Sequence, residues 1–540
     1  MRRGEQGPTF VQHVLIEGFS LGIAVAVTEC SIVFEHVFLV RQSRLAVENY
    51  DNTVTFRGLH VQSNLQNQPL LVNSVSQAAP KGHSAPTVSS AATSLMTLLD
   101  TTITVATADA PGYACAINNS VSGSLLLRNV TVTGVPCAVN NSWRIAHQNG
   151  SRSPSLADSG HIKEWSSSPA ITLYETAAVP ASTINLPIRE TPTETTVVRA
   201  SPRSWSMVDA HNTTSAGRPC PDGIYCEATR PIQLAMDSSN PAVFFRRGDY
   251  LINSTVSIGS GITHVFGMQA TLLTCGIRFA DGLAPVAALE IIDTHPIGEN
   301  EDNTIWIEDL NFFQYTDSSR YCGYRAPAGS IAFSHRTKRA LVLRHVSFGG
   351  VGFLNIQAAS ILATSPGIGP LFVEDSYGGK IIIGGGVNAW ARQLNPEPRT
   401  TLGDAHVEVA GGSTLWILGL KIEQPGPVIR AVDSMVELFG GFLYPLENCS
   451  IAFELRDSEA SLSFVVESWH PWDQTQYGVQ VNESHGCSNH GPRSALSCAW
   501  TEALWTYGAH GYPRPIGPTA ETRNVYGSTV VLFRSTGGVV

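Results

Sequence analysis

With 540 residues, the chain is too long for one ordinary hydrophobic core, so we expect two or more domains. Only 14% of the residues are charged and the formal net charge is −10, without a block of basic residues, which argues against nucleic acid as the main partner. No run of about 18 apolar residues occurs, so we predict no membrane span. The composition predicts a neutral-polar surface and does not define an oligomeric state.

The first part of the chain contains a recurring phrase in which apolar and polar residues alternate before a Gly, Asn or Ser. The phrase is centred on Val14, Val37, Leu59, Ile103 and Val130, which are spaced 23, 22, 44 and 27 residues apart. A period of about 20–27 residues with one strand in each repeat indicates a solenoid. The patterns of leucine-rich repeats and of helical solenoids are missing, which favours a parallel β-helix. We predict this β-helix over residues 1–150, truncated at its start.

Residues 151–204 are predicted to form an extended linker. Their Ser, Thr and Pro content is high, and the string NLPIRETPTETT is typical of an extended connector. Trp165 lies in this stretch, and a large aromatic side chain favours packing against a neighbour over a free tether. We therefore expect the linker to lie packed on an interface between two domains.

Residues 205–540 are predicted to form a second domain that opens with one short helix. The string ATRPIQLAMDS has apolar residues at helical spacing, and AVFFRRGDYLI is typical of a strand, a Gly turn and a strand. This entry resembles that of pectate-lyase-superfamily β-helices, the rhamnogalacturonase/epimerase-like group. The matching positions are Asp222, Gln233, Ala235, Asp237, Phe245, Gly248 and Tyr250. The chain departs from the family pattern at Arg246, where Pro is usual, and in its reduced pair of aspartates, where Glu227 stands near the second position.

The resemblance implies right-handed parallel β-helices, and the layout of the whole chain resembles that of the family-55 β-1,3-glucanases. The fold we predict is therefore all-β, with two tandem right-handed parallel β-helices joined by an extended linker. For function, the resemblance implies a secreted, extracellular or cell-surface protein that acts on a polysaccharide, first as a glycoside hydrolase and second as a polysaccharide lyase. A hydrolase implies no cofactor, whereas a lyase adds calcium as a candidate. A non-catalytic glycan-binding or surface-structural β-helix is the alternative, and the missing signatures of polygalacturonases and classical pectate lyases favour it.

The stretch 388–444 concentrates charged residues in a chain that is otherwise sparing with them. Hydrolysis of a glycosidic bond uses two carboxyl groups, and side chains on neighbouring repeats of a stacked sheet stand about 4.8 Å apart. Glu423 and Glu437 are 14 residues apart, so we predict them as a catalytic pair on neighbouring repeats. Lys421 shares strand parity with Glu423, which predicts an ion pair on one face and a third catalytic residue.

A further group of residues is predicted to bind the substrate. An indole ring offers a flat face to a sugar, and the polar side chains around it supply hydrogen bonds. The predicted substrate-binding residues are Trp390, Arg392, Asn388, Gln393, Glu374 and Asp375. Glu374, Asp375, Asp404 and Glu408 precede Glu423 in the chain, and their rows are candidates for a catalytic ladder. The competing interpretation of each carboxylate is an ordinary polar residue that faces water on the outside of a solenoid.

The chain has ten cysteines and eight Asn-x-Ser/Thr sequons. For the neighbouring pairs Cys220 with Cys226 and Cys487 with Cys498, local disulfides and buried free thiols both remain open, and neither pair has the spacing of a zinc site. The sequons matter only in a host that glycosylates. They begin at Asn118, Asn129, Asn140, Asn149, Asn212, Asn253, Asn448 and Asn482.

Overall fold

In the computed structural model, most of the described residues lie in β-strands, and these residues also include one α-helix and form mostly parallel sheets. The prediction of an all-β fold is confirmed at this level. The described residues are 9–26, 31–50, 52–65, 68–74, 94–106, 115–120, 123–141, 160–168, 170–173, 182–194, 205–208, 228–252, 254–273, 287–293, 304–313, 331–349, 352–355, 367–397, 405–447, 449–466, 477–486, 500–505 and 528–535. The predicted cysteine pairs, Asp222, Glu227 and Asp404 lie outside them.

The strands are short and follow one another at close intervals. The first twelve are β1 (Thr9–Glu17), β2 (Leu21–Val25), β3 (Ser31–Val40), β4 (Leu45–Tyr50), β5 (Thr53–Arg57), β6 (His60–Ser63), β7 (Leu71–Ser74), β8 (Ser94–Val105), β9 (Ile117–Asn119), β10 (Gly123–Thr133), β11 (Val139–Asn141) and β12 (Gly160–Ser166). The next elements are β13 (Ser206–Val208), α1 (Thr229–Met236), β14 (Ala242–Phe245), β15 (Gly248–Leu251), β16 (Val256–Ile258), β17 (His264–Leu273), β18 (Ala287–Ile292), β19 (Ile305–Phe313), β20 (Ile331–Arg336), β21 (Leu341–Arg344), β22 (Ser347–Gly349) and β23 (Gly352–Asn355). The remaining strands are β24 (Leu371–Gly378), β25 (Ile381–Ile383), β26 (Asn388–Asn395), β27 (Val407–Ala410), β28 (Thr414–Ile422), β29 (Ile429–Val432), β30 (Met435–Leu443), β31 (Cys449–Arg456), β32 (Glu459–Val466), β33 (Tyr477–His485), β34 (Trp500–Trp505) and β35 (Ser528–Arg534).

The chain divides into two compact units that each use separate stretches of sequence. Unit 1 consists of Met1–Leu186, Ile417–Pro425 and Val436–Val540, and unit 2 consists of Pro187–Trp416 and Gly426–Met435. Residues 417–425 belong to unit 1 and residues 426–435 belong to unit 2, so each unit is discontinuous in sequence. This division therefore does not test the domain boundaries predicted at residues 150 and 204. Those boundaries stay predictions.

In the N-terminal part of unit 1, one sheet has the strand order β1-β3-β5-β8-β10-β12, and β6 pairs with β3 and β8. The pairs are parallel as far as β10, and β10 and β12 are antiparallel. Val14 pairs with Val37, so the spacing of 23 residues found in the sequence is the spacing of neighbouring strands. A second sheet has the parallel order β11-β9-β7-β4-β2. The two sheets share one apolar core, which includes the fully buried Val47, Phe56 and Leu98.

A row of four asparagines, of which Asn49, Asn73 and Asn119 are buried and Asn141 is partly buried, runs along this core. Asn49 donates to Asn73 Oδ1 at 2.9 Å, Asn73 donates to Asn119 Oδ1 at 2.8 Å, and Asn119 donates to Asn141 Oδ1 at 2.9 Å. Buried amides need partners of this kind, because an unsatisfied polar group costs about 1–3 kcal/mol. The asparagine row therefore fixes the register of β4, β7, β9 and β11 from one repeat to the next.

Unit 1 also contains strands from the C-terminal part of the chain. Within the unit, the segment of β28 from Ile417 onward is followed in the sheet by β30, β32 and β35, and β31, β33 and β34 form part of a second sheet. The last pair of each sheet, β32 with β35 and β33 with β34, is antiparallel. Leu95 of β8 packs with Phe442, Tyr444 and Val465, which joins these strands to the N-terminal sheets.

Unit 2 repeats the same parallel arrangement. One sheet has the order β13-β14-β17-β19-β21-β24-β26, with β15 beside β17 and with β22 beside β19 and β24, and the other has the order β16-β18-β20-β23-β25-β27-β29. The strand pairs described within these sheets are parallel. Successive strands of each sheet come from successive repeats, which gives unit 2 a solenoid-like architecture.

Gln233, Phe245 and Tyr250, which match the family pattern in the sequence, make defined contacts in the first elements of unit 2. Gln233 of α1 accepts a hydrogen bond from the Ser257 amide and donates to the Ser257 carbonyl, so the helix is fastened to β16. The Tyr250 hydroxyl donates to the carbonyls of Val208 and Arg246, and its ring meets Phe245 edge-on at 5.3 Å. The predicted short helix and the strand pair after it are both present.

Candidate functional site

Lys421, Glu423 and Tyr444 form a cluster at the ends of β28 and β30 in unit 1. Lys421 Nζ contacts Glu423 Oε1, so the ion pair predicted from strand parity is present. The Tyr444 hydroxyl donates to the same carboxylate oxygen, and Lys421 Nζ lies 5.2 Å from the centre of the Tyr444 ring. Lys421 is almost buried, whereas the Glu423 side chain is 26% exposed. The Glu423 carboxylate is therefore accessible to solvent, and Lys421 and Tyr444 hold it in place.

Tyr444 was not among the predicted site residues. The signal that could have identified it is its position three residues after the Gly pair of SMVELFGGFLYP, directly after the end of β30. The Tyr444 amide donates to the Ile422 carbonyl, which aligns the two strand ends and brings the phenol to the carboxylate.

Glu437, the predicted partner of Glu423, lies in a separate cluster of unit 1. Its side chain is 0% exposed. Arg128 Nη1 donates to Glu437 Oε2 at 2.9 Å, and the Asn185 amide donates to Oε1 at 3.1 Å. Glu423 and Glu437 share no hydrogen-bond partner in the part of the chain that the structure describes. The two predicted catalytic carboxylates therefore belong to different environments.

A second carboxylate, Glu164, completes the cluster around Arg128. Glu164 is the register partner of Arg128 across the β10–β12 pair, and its carboxylate accepts the Thr183 amide at 2.6 Å. Burial raises the pKa of Glu437, and the Arg128 guanidinium opposes that shift. Burial likewise raises the pKa of Glu164, with the Thr183 hydrogen bonds and Arg128 acting in the opposite direction. Desolvation is thus the largest influence on both carboxyl groups.

In unit 2, the extended residues 187–191 lie on the predicted substrate-binding side chains. The Trp390 indole donates to the Pro187 carbonyl at 2.9 Å and stacks on Phe372 at 5.2 Å. Arg392 is 1% exposed and donates to the Arg189 carbonyl at 2.8 Å. Both side chains are thus engaged with the protein itself, and neither presents an open face to a sugar ring.

Glu374 and Arg392 belong to a row of alternating charges across neighbouring strands. Glu308 pairs in register with Arg344, Arg344 with Glu374, and Glu374 with Arg392. Arg344 donates to Glu308 at 3.0 Å and to Glu374 at 2.7 Å, while the Thr191 hydroxyl also donates to Glu374. Opposite charges on directly facing residues stabilise parallel stacking, so this row supports the sheet.

The other predicted substrate-binding residues have mixed environments. Asp375 faces His345 Nε2 at 3.6 Å, and burial raises its pKa while His345 lowers it. Asn388 is exposed at the start of β26 and accepts the Thr414 hydroxyl at 2.7 Å. Gln393, the residue after Arg392, is buried at a positive φ of 52°. Asn388 is therefore the member of this set with the most open position.

The described residues contain no group of three or more His, Cys, Asp or Glu side chains that could hold a metal ion. Among them there is also no helix of the length and apolarity that a membrane crossing requires. Comparison with known proteins adds no assignment, since no family model and no curated protein matches the chain.

Proposed function

We propose that this chain is a secreted, polysaccharide-active protein built from two tandem right-handed parallel β-helices, and that it is a glycoside hydrolase with Glu423 as its reactive carboxyl group. The observation that carries the proposal is the contact of a partly exposed Glu423 with Lys421 and Tyr444. The parallel sheets, the repeat of about 23 residues and the family-like entry motif support the β-helix.

In this proposal, Glu423 exchanges a proton with the glycosidic oxygen or with the attacking water. Positioned acid–base groups of this kind contribute about 10²–10⁴-fold to a rate. Lys421 and Tyr444 hold the carboxylate at one orientation, because both contact the same oxygen atom. Lys421 also places a positive charge next to the reacting group, where it would balance the negative charge of a sugar carboxylate.

Glu437 takes a structural role in the proposal. Its carboxylate has no exposed surface and is bound by Arg128 and by the Asn185 amide, so it has no access to a substrate in this arrangement. Two carboxyl groups on opposite sides of a glycosidic bond need a separation of about 5–10 Å and a shared open groove. The burial of Glu437 is the specific observation that favours the second candidate, a non-catalytic β-helix that binds glycans.

The secreted location rests on a separate feature. Cys115 and Cys137 form a disulfide bond. Structural disulfides persist in oxidising compartments and are rare in the cytosol of most cells. The bond therefore supports an extracellular or cell-surface protein, which is where a polysaccharide partner is found.

A panel of neutral and acidic polysaccharides tests the proposal. Release of reducing ends without absorbance from unsaturated uronates supports the hydrolase, whereas that absorbance identifies a lyase, in which Lys421 or Tyr444 would act as the base. Binding without either product supports the non-catalytic alternative. If the protein neither binds nor cleaves any polysaccharide of the panel, the proposal of a polysaccharide partner is refuted for that panel. Glu408→Gln is a matched control for Glu423→Gln, because Glu408 pairs with Lys380 at 2.8 Å and is 27% exposed.

A further inference from the structure

Two neighbouring repeats of unit 1 carry the dipeptide Asn-Asn at the same register. Asn118 pairs with Asn140 and Asn119 pairs with Asn141 across the parallel strands β9 and β11. Because successive side chains of a strand point to opposite faces, only one asparagine of each dipeptide can face the core. Asn119 is completely buried in the asparagine row, whereas Asn140 is exposed and its amide donates to Asn118 Oδ1 at 3.1 Å.

We propose that Asn140 is an acceptor for an N-linked oligosaccharide. Asn140, Asn141 and Ser142 form an Asn-x-Ser sequon. In the transfer, Asn140 Nδ2 forms a bond to the anomeric carbon of a polyprenyl-pyrophosphate-linked oligosaccharide. The bond from that carbon to the pyrophosphate oxygen breaks, the polyprenyl pyrophosphate leaves, and one amide proton is released. The second amide proton stays on the nitrogen, so the hydrogen bond from Asn140 to Asn118 is compatible with the attached sugar.

The position of β11 in its sheet explains why Asn140 is the acceptor and Asn118 is not. Of the described strands, β11 is the last in the order β11-β9-β7-β4-β2, so Asn140 has a described strand on one side only. Asn118 lies between Asn140 and Val72, and its carbonyl oxygen accepts the Asn140 amide. A sugar on Asn118 would have to pass between side chains about 4.8 Å away on both sides.

Two other sequons on described strands have similar restrictions. Asn129 lies on β10 between β8 and β12, and its amide donates to Asp100 Oδ1 at 2.6 Å. Asn482 lies on β33, where it pairs with Glu454 on one side and Ala503 on the other. Asn140 therefore combines exposure, a place on the last described strand of its sheet and a sequon in one residue.

A disulfide on the same two repeats is an independent observation in favour of this site. Cys115 and Cys137 are 22 residues apart, and each lies three positions before the outward asparagine of its repeat. N-glycosylation occurs in the compartments in which such disulfides form. The disulfide also fastens the turn that precedes β11 to the turn that precedes β9, so the edge that carries Asn140 is held in place.

Secretion of the full chain from a eukaryotic host, followed by site mapping, tests the proposal. Peptide N-glycosidase in heavy-oxygen water converts each glycosylated asparagine into labelled aspartate, and the peptide containing Asn140 is expected to carry that label. Asn140→Gln is expected to lower the mass of the secreted protein by one glycan, and Asn118→Gln is expected to leave the mass unchanged. Ser142→Ala removes the sequon and leaves the Asn140 side chain, so it gives the same loss even if Asn140→Gln fails to fold.

Two results would overturn the assignment. One is an unlabelled Asn140 peptide from folded, secreted protein whose other sequons are labelled. The other is a secreted Ser142→Ala variant that keeps the full glycan mass while Asn118→Gln loses one glycan. Either outcome would mean that the exposed Asn140 side chain of β11 is not the acceptor that the transferase uses.

Discussion

Replacing Arg128 by methionine isolates the energetic role of the buried cluster in unit 1. The Arg128 guanidinium donates to Glu437 at 2.9 Å and to the Thr183 hydroxyl at 3.2 Å, and it lies 4.7 Å from the centre of the Phe439 ring. Methionine keeps the apolar stem of the side chain and removes the charge. Glu437 then remains buried with backbone amides as its partners and without a cation.

The expected cost at neutral pH follows from the loss of one partner of a buried pair. Such a loss typically costs about 3–5 kcal/mol, since the remaining charge is desolvated and uncompensated. The cation–π contact with Phe439 accounts for about 0.5–2 kcal/mol of what Arg128 contributes. We therefore expect Arg128→Met to lower the free energy of unfolding by about 3–5 kcal/mol near neutral pH.

The loss of unfolding free energy in Arg128→Met is expected to increase as the pH rises. The pKa values of Glu164 and Glu437 are raised in the folded protein, so the folded state retains protons that the unfolded chain has released. Folded stability therefore falls as pH rises from the ordinary carboxyl pKa through the raised folded value. Arg128 opposes both shifts, so its removal makes this fall steeper. As the pH is lowered from about 7 towards about 4.5, protonation of the buried carboxyl groups removes the charge that Arg128 compensates, so we expect the loss to shrink towards the cation–π contribution of about 0.5–2 kcal/mol.

Denaturant unfolding of four proteins at both pH values provides the measurement. They are the wild type, Arg128→Met, Glu437→Gln and the double variant. Glu437→Gln removes the other charge of the pair and leaves the buried Arg128 guanidinium without its carboxylate, so it should also cost about 3–5 kcal/mol near neutral pH. The double variant should recover about 2 kcal/mol relative to the sum of the single changes. The reasoning would be refuted if Arg128→Met lowered the free energy of unfolding by less than about 1 kcal/mol near neutral pH, or if the decrease were the same at both pH values.

Three further changes probe the repeats of unit 1 through the same unfolding measurement. Asn73→Ala breaks the asparagine row, where its amide binds Asn119 and the Ser124 carbonyl at 2.8 Å, and should cost about 2–4 kcal/mol. Cys115→Ala opens the disulfide that spans 22 residues and should cost about 3 kcal/mol. Gly134→Ala should cost about 2 kcal/mol or more, because Gly134 has a φ of 81° and an added Cβ would lie 1.9 Å from a backbone oxygen.

Each of these changes has a control. Asn118→Ala truncates an outward amide on the same sheet and should cost less than about 1 kcal/mol, so an equal loss for Asn73→Ala and Asn118→Ala would contradict the role of the asparagine row. Reducing agent should shift the wild type to the stability of Cys115→Ala, and an unchanged wild type would argue against the disulfide. Gly261→Ala meets nothing within 4 Å, so it should be nearly neutral, and a Gly134→Ala variant of the same stability would be unexpected.

The repeat was predictable from sequence because stacking imposes one period on every strand. The spacing of Val14 and Val37 is the spacing at which β1 and β3 pair. Two further pairs of residues occur at this spacing in the sequence and were not predicted to be in contact. Asn119 and Asn141 are 22 residues apart, as are Cys115 and Cys137, and residues at this spacing face each other on neighbouring repeats. A search for polar residues at the repeat period would have identified both pairs.

The candidate site was predictable only where it depends on local geometry. Lys421 and Glu423 are two residues apart on a strand, so alternation alone places them on one face, and their contact is present. Arg128 and Glu437 are separated by 309 residues, and no periodic pattern connects them. The covering of Trp390 and Arg392 by Pro187 and Arg189 is equally non-local, because it depends on where an extended segment packs. Sequence patterns therefore predict faces of strands, whereas packing decides which faces remain open.

The rate of polysaccharide cleavage by Glu423→Gln, relative to the wild type and to Glu408→Gln, tests the central claim most directly. Both glutamates are partly exposed and both are paired with a lysine, while Glu408 also accepts from Arg430 and Glu423 also accepts from Tyr444. Glu408→Gln therefore controls for the general effect of removing a lysine-paired carboxylate. If Glu423 exchanges the proton, kcat should fall about 10²–10⁴-fold in Glu423→Gln and stay near the wild-type value in Glu408→Gln. A folded Glu423→Gln variant that cleaves the substrate at the wild-type rate would contradict the claim that this carboxyl group carries the reaction.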